Sequence, residues 1–245
     1  MNRPAVRARS IALADRSIDL WWVELPDNAR VAAAADMLSP TERTRLARMK
    51  VPARRREFVA GRVALRRILG RYLGVAPAAV DIETMAGGKP RIAGSTLQFS
   101  LAHSRDCVAV AVARAGALGV DIEAARALLR PDRLAQTLLA PAALAAWRAL
   151  PPTRQTGPLL YAWTATEAVI KALGRSLPGA LRSVKIDGLG TEWPVLASID
   201  GRPGPARRWV IRYVEAPTPY TCAVACDRPI DGIRLRRFRW PPQKR

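Results

Sequence analysis

The stretch Gly119-Val120-Asp121-Ile122-Glu123 constrains this chain more than any other. Two aliphatic residues alternate with two acids, which is the period of a half-buried strand. Val120 and Ile122 then enter a core, while Asp121 and Glu123 project together from the opposite face. Carboxylates placed in this way repel one another unless solvent or a cation lies between them. A solvated edge strand is one solution. A hard divalent cation is the other: magnesium commonly takes one or two carboxylates and completes its shell with water or phosphate oxygens. Gly119 shares the acidic face and leaves room there.

Such a strand needs helices and further strands to cover it. A first strand is predicted over Ile18 to Leu25. Ser39-Pro40-Thr41-Glu42 reads as a helix start with a capping box, and this helix continues to Met49. From Arg54 to Leu73, the residues Phe58, Leu65, Ile68, Leu69 and Leu73 mark the buried stripe of a second helix, ended by Gly74. Gly87-Gly88-Lys89-Pro90 is a turn. Short strands are expected at Leu97 to Ser100 and Cys107 to Ala113, around a loop at His103-Ser104, and again at Ala117 to Glu123. Leu134 to Leu150 reads as mostly helical despite Pro141, with Pro151-Pro152 as the breaker. Leu159 to Leu173 is a helix closed by Gly174, and strands follow at Ser183 to Asp187, Trp209 to Val214 and Tyr220 to Cys226. Arg234 to Arg245 reads as a frayed basic tail. This order predicts an α+β fold of two similar halves meeting near Arg114 to Leu118, although no close internal repeat accompanies it.

Composition limits the function classes. Nearly half of the 245 residues are hydrophobic, which suits a globular protein. No apolar run approaches the roughly 20 residues of a membrane-spanning helix. Met1 to Arg16 carries arginines without a continuous apolar core, so no signal peptide and a cytoplasmic location are expected. Cys107, Cys222 and Cys226 suggest neither a disulfide framework nor a zinc site. The last two are four apart on a strand and are expected to face one core as small hydrophobes. The net charge of +20, almost all from arginine, favours acidic partners: nucleic acid, an acidic protein or a polyphosphate ligand.

Several other residues carry possible chemistry. Trp163, Glu167 and Lys171 are spaced four apart, along one helical face, where Glu167 and Lys171 also suit an ordinary surface ion pair. Lys89 follows two glycines, a turn that can bring backbone amides and an ammonium to a phosphate. His103 is the chain's one histidine, and a structural role is open to it. Arg54 and Arg62 lie in a basic run that suits either a solvated helix face or phosphate binding.

The order of these segments is more specific than any one of them. LSPTERTR, RRREFVAGR, GGKPRI, FSLAHS, LGVDIE, WTATEAVIKALG and YTCAVAC follow one another from about Ser39 to Cys226. In this order the chain resembles the 4′-phosphopantetheinyl transferase superfamily, in its long, Sfp-like branch. The resemblance implies an α+β pseudo-dimer, with an N-terminal half over 1–116, a C-terminal half over 117–245, and the active site between them. It implies transfer of 4′-phosphopantetheine from coenzyme A to a carrier-protein serine, releasing 3′,5′-ADP. Asp121, Glu123 and Glu167 would hold magnesium, or manganese in its place. Glu167, Lys171 and Asp121 would be catalytic, with Glu167 as general base. Arg54, Arg62, Lys89, Pro90, His103, Ser104 and Lys171 would bind coenzyme A. The implied partner is an acidic acyl, peptidyl or aryl carrier protein, of fatty-acid, polyketide or nonribosomal peptide assembly, served by a monomeric enzyme.

Two departures accompany the resemblance. Thr166 stands where the family usually has lysine, and Leu139 to Ala143 replaces a segment that often carries a further glutamate. A coenzyme A-binding homologue with weakened catalysis is therefore an alternative. A basic nucleic-acid-binding protein is another, though the chain shows no recognised nucleic-acid fold or stacking platform.

Overall fold

The computed structural model describes residues 11–27, 31, 34–85, 87–188 and 195–241. The signal-peptide reading of Met1 to Arg16 therefore lies largely outside the described residues, as does the end of the expected tail at 242–245. The architecture is α+β, in four layers.

A four-stranded sheet has the order β11-β1-β5-β4, formed by Gly232–Arg237, Ser17–Glu24, Cys107–Ala113 and Gln98–Ser104. A three-stranded sheet has the order β6-β10-β9, formed by Leu118–Ala124, Tyr220–Cys226 and Val210–Val214. Strand alternation sorts each strand's side chains between two cores. Trp21, Val23, Val108, Val110 and Val112 pack against Leu65, Ile68 and Leu69 of α2 (Pro52–Leu73). Leu20, Trp22, Ala109 and Ala111 meet Val120, Ile122, Cys222, Val224 and Cys226 between the two sheets. On the outer face of the three-stranded sheet, Ala223 and Ala225 pack against Ala165, Ala168 and Val169 of α5 (Pro152–Ala172). The layers are thus helix, sheet, sheet, helix. All three cysteines are free and buried in the central layer, with Cys222 and Cys226 facing the same core.

Shorter elements complete the molecule. α1 (Pro40–Ala47) carries the expected capping box between Ser39 and Glu42, and α2 ends at Gly74 in the left-handed conformation, φ 69°. β2 (Ile82–Thr84) and β3 (Pro90–Ile92) form a hairpin around the glycine turn, and β7 (Val184–Asp187) pairs with β8 (Val195–Ile199). α3 (Pro131–Leu138) and α4 (Pro141–Arg148) pack on α5, while α6 (Leu177–Ala180) and α7 (Pro203–Ala206) are single turns. Among the described residues, no helix is long and apolar enough to cross a membrane.

The structure corrects four sequence expectations. The helix expected over Leu134 to Leu150 is two helices. Pro141 lacks an N–H and forces extended geometry on Ala140, whose N–H instead donates to Ile186 O at 2.9 Å. Pro152 starts α5 at its first turn, so that helix begins a full seven residues before Leu159. β4 continues through His103 and Ser104, so these residues belong to a strand and the connection to β5 is only Arg105-Asp106. Arg105 takes φ 48°, the conformation that a two-residue hairpin turn demands.

The last correction concerns the tail. Gly232–Arg237 is not frayed but pairs in parallel with β1. Asp19, fully buried on β1, accepts hydrogen bonds from Arg234 Nε at 2.7 Å, Arg236 Nε at 2.8 Å and the Tyr72 hydroxyl. The arginines that suggested a solvated tail are there to neutralise a buried carboxylate. Replacing both Arg234 and Arg236 with alanine leaves that charge with one neutral donor. Urea unfolding should then show a loss of about 3–5 kcal/mol, the range for stranding one member of a buried ion pair, whereas either single variant should lose less.

Candidate active site

The close contact between β6 and α5 creates the site. An added Cβ at Gly119 would lie 1.9 Å from Ala168 O and 2.7 Å from Ala172 N, so only glycine permits this packing. The facing residues Ala168, Ala223 and Ala225 are small for the same reason. At this distance, the acidic face of β6 and the Glu167 face of α5 converge. Asp121, Glu123 and Glu167 each present a carboxylate oxygen, all within 4.8 Å of one another.

Lys171, one turn after Glu167, donates to Asp121 Oδ1 at 2.6 Å and lies 3.9 Å from Glu167 Oε2. The other Asp121 oxygen, Oδ2, is buried with no hydrogen-bond donor among the described residues. Burial raises the Asp121 carboxyl above its ordinary range, with Lys171 opposing the shift. Burial also raises Glu167, and the neighbouring Asp121 charge adds to the effect. Three carboxylates in one partly desolvated site, one of them with an orphaned oxygen, are satisfied by a proton or a cation shared between them. The donor set is all oxygen, which suits a hard divalent ion.

The cluster opens onto a cleft through Lys171. One chamber of about 480 Å³ is lined by Lys171, Gly174 and Arg175 on the α5 side, and by Arg62, Phe99 and Gly87 to Pro90 on the other. A second chamber of about 590 Å³ shares Arg62 and Leu101 with the first and adds Arg45, Arg54, Phe58 and His103. The glycine turn is held tightly here: a Cβ at Gly87 would meet Gly174 O at 2.2 Å. The cleft is basic and apolar, and its cations are partly stripped of water. Burial lowers the affinity of both Arg62 and Lys89 for their protons, while Glu42 opposes the shift at Arg62. An anion entering the cleft would relieve that cost.

The structure therefore brings Asp121, Glu123, Glu167 and Lys171 into one cluster, and Arg54, Arg62, Lys89, Pro90 and His103 along one cleft. Two of the expected ligand-binding side chains are engaged elsewhere. Lys89 Nζ donates to Leu118 O at 3.0 Å and Ala172 O at 2.9 Å, leaving one of its three hydrogens for a phosphate. Ser104 lines neither chamber. Its hydroxyl accepts from Ala124 N at 3.0 Å and donates to Glu123 Oε2 at 3.3 Å, so no hydrogen remains to contact coenzyme A.

Sequence reasoning missed Arg45, Arg175 and Arg126 altogether, and the contacts that Glu42 and Trp163 make here. Arg45 and Arg62 both lie over the Phe58 ring, at 5.3 and 5.7 Å from its centroid. Arg175 lines the chamber just beyond Gly174. Glu42, read only as a cap, is buried against Arg66 at 2.8 Å and lies 3.8 Å from Arg62. Trp163 Nε1 donates to Glu123 Oε1 at 3.1 Å, a contact its four-residue spacing from Glu167 did not reveal. Thr166, in place of the usual family lysine, is fully buried and donates to Ala162 O. Arg126 Nη2, 3.7 Å from Glu123 Oε1, joins Lys171 as a cation beside the triad.

Gly119→Ala should cost about 1–3 kcal/mol in urea unfolding, the usual overpacking range. It should also weaken manganese binding about tenfold or more by moving Glu167 away from Asp121. Unchanged manganese affinity would show that the close contact does not set the site.

Comparison with known proteins agrees with this geometry. Residues 117–225 match the 4′-phosphopantetheinyl transferase superfamily, and residues 42–113 match the 4′-phosphopantetheinyl transferase N-terminal domain. The chain is 34% identical over 170 residues to the 4′-phosphopantetheinyl transferase HetI of Nostoc sp., covering 67% of this chain and 72% of HetI. It is 36% identical over 124 residues to the 4′-phosphopantetheinyl transferase AcpT of Salmonella typhi, covering 50% of this chain and 61% of AcpT. The two matched regions span both walls of the cleft and all three clustered carboxylates, and the chain belongs to the 4′-phosphopantetheinyl transferase superfamily as an enzyme of that kind.

Proposed function

We propose that this enzyme transfers 4′-phosphopantetheine from coenzyme A to a carrier-protein serine, with magnesium held by Asp121, Glu123 and Glu167. The observation that carries this reading is the position of the triad: three converging carboxylates join a basic cleft through Lys171. Manganese, equally suited to oxygen ligands, is the expected substitute.

Arg54, Arg62 and His103 are read as holding the 3′-phosphate end of coenzyme A. Lys89 and Pro90 line the path toward the triad, and the remaining hydrogen of Lys89 is available to a phosphate. A divalent ion in the triad would neutralise pyrophosphate charge and stabilise the charge that develops at the reacting phosphorus. Glu167 accepts the proton of the carrier serine as its oxygen bonds to the β-phosphorus. The bond from that phosphorus to the bridging oxygen breaks, and the electron pair leaves with 3′,5′-ADP. Glu167 is suited to the role of base by its place in the cluster, one turn before Lys171 on α5, and a divalent ion bound there would keep its carboxylate ionised. Lys171 faces the departing charge and stabilises it. Much of the remaining work is positioning, as is usual in phosphoryl-type transfer.

The same reading treats 1–116 and 117–245 as two halves of a pseudo-dimer within a monomer. The layer order of helix, sheet, sheet and helix supports it, and β11 returns from the second half to pair with β1 of the first. The net charge of +20 favours an acidic carrier by electrostatic steering. Carriers of fatty-acid, polyketide and nonribosomal peptide assembly all fit, in a cytoplasmic setting.

Incubation with coenzyme A, magnesium and a panel of these carriers should add the mass of one phosphopantetheine to at least one of them. Glu167→Gln should slow that addition by about 10²–10⁴-fold, the usual contribution of a general base, while coenzyme A affinity measured without metal changes little. No mass gain on any carrier would contradict the reaction, and a fully active Glu167→Gln variant would contradict the assigned base.

A further inference from the structure

Ser104 stands beside the cluster without lining the cleft, and its contacts form a connected set. β4 and β6 belong to different sheets, and serine side chains bond the backbone of β6 beside β4. Ser100 Oγ accepts from Val120 N at 3.0 Å, and Ser104 Oγ accepts from Ala124 N at 3.0 Å. Each serine satisfies a β6 amide, so the backbone carrying Asp121 and Glu123 is fixed at both ends. A hydroxyl that accepts one amide still has its own hydrogen to give. The hydrogen of Ser104 goes to Glu123 Oε2, at 3.3 Å. The other oxygen of the same carboxylate accepts from Trp163 Nε1 at 3.1 Å. Glu123 is thereby held from two directions, by a strand of the four-stranded sheet and by the helix that carries Glu167.

We propose that Ser104 is a positioning residue for the cation site: its hydroxyl sets the orientation of Glu123 rather than binding coenzyme A. This rests on the reading of Asp121, Glu123 and Glu167 as the ligands of a divalent ion. Outer partners of ligating carboxylates fix their direction, and losing one typically weakens metal binding without removing a ligand. His103, the adjacent residue on β4, points to the opposite face and lines the cleft. One strand therefore serves both substrate binding, through His103, and cation binding, through Ser104.

The test is a manganese titration of the full chain, followed by electron paramagnetic resonance of the free ion, on the wild type and on Ser104→Ala, Ser104→Thr and Asp121→Asn. Ser104→Ala should raise the manganese Kd about tenfold or more, and Ser104→Thr, which keeps the hydroxyl, should stay within about threefold of wild type. Coenzyme A affinity, measured by calorimetry without metal, should be unchanged in both. Ser104→Ala with wild-type manganese affinity would overturn the proposal and leave the metal site standing. So would a loss of coenzyme A affinity with manganese binding intact, because that would make Ser104 a ligand contact. If wild type binds manganese no better than Asp121→Asn, the metal-site reading fails and this proposal fails with it. Should Ser104→Ala melt early, Ser104→Thr compared with Ser104→Val poses the same question at equal bulk. Weaker manganese binding by the valine variant supports the role, and equal binding overturns it.

Discussion

The absence of a side chain at Gly119 lets the carbonyl of Ala168 approach β6 to a distance at which any Cβ would collide. Much of the active site depends on this contact. It brings the acidic face of a strand against the acidic turn of a helix, a juxtaposition that charge repulsion alone would oppose. Hydrophobic burial supplies the opposing force: Ala165, Ala168 and Val169 are packed against Ala223, Ala225 and Ile211 along the same interface. Folding thus places three carboxylates together, and Lys171 offsets part of the cost at Asp121. The remainder is expressed as raised proton affinity at Asp121 and Glu167, which a divalent ion would remove on binding.

A second constraint ties this cluster to the cleft. Lys89 bonds carbonyls at the start of β6 and the end of α5, where both carboxylate-bearing elements meet the glycine turn. Ser100 and Ser104 bond amides along β6. The segments that line the cleft therefore also brace the carboxylates. That economy explains why residues from the matched N-terminal region touch the same site as the carboxylate motifs. It also makes Lys89 a structural cation as well as a residue that lines the cleft.

The parts of the fold legible in the sequence were those with a strong local cause. Alternation in Gly119 to Glu123 identified β6 and its acidic face, and the Ser39–Glu42 capping box and Gly74 bounded their helices. Where the cause was tertiary, the reading failed. Ser104 and Ser100 share a parity that would have placed them on one face, but a tight turn made by Arg105-Asp106, without glycine or asparagine, concealed the length of β4. Arg234 and Arg236 resembled solvated tail residues because their partner, Asp19, is more than two hundred positions away. The prolines at 141 and 152 were read as flaws or breaks, yet both open helices, since a first-turn residue needs no N–H partner. Thr166 is the clearest limit: its sequence position marks a missing lysine, but only the structure shows its hydroxyl turned back onto the helix and Arg126 standing near Glu123.

The central claim is that Asp121, Glu123 and Glu167 form one cation site at the end of a coenzyme A cleft. The most direct test is an anomalous difference map from crystals grown with manganese and coenzyme A. The account predicts one strong peak bounded by oxygens of all three carboxylates, with the pyrophosphate beside it and the nucleotide end toward Arg62 and His103. A peak elsewhere, or a pyrophosphate bound away from the three carboxylates, would contradict it.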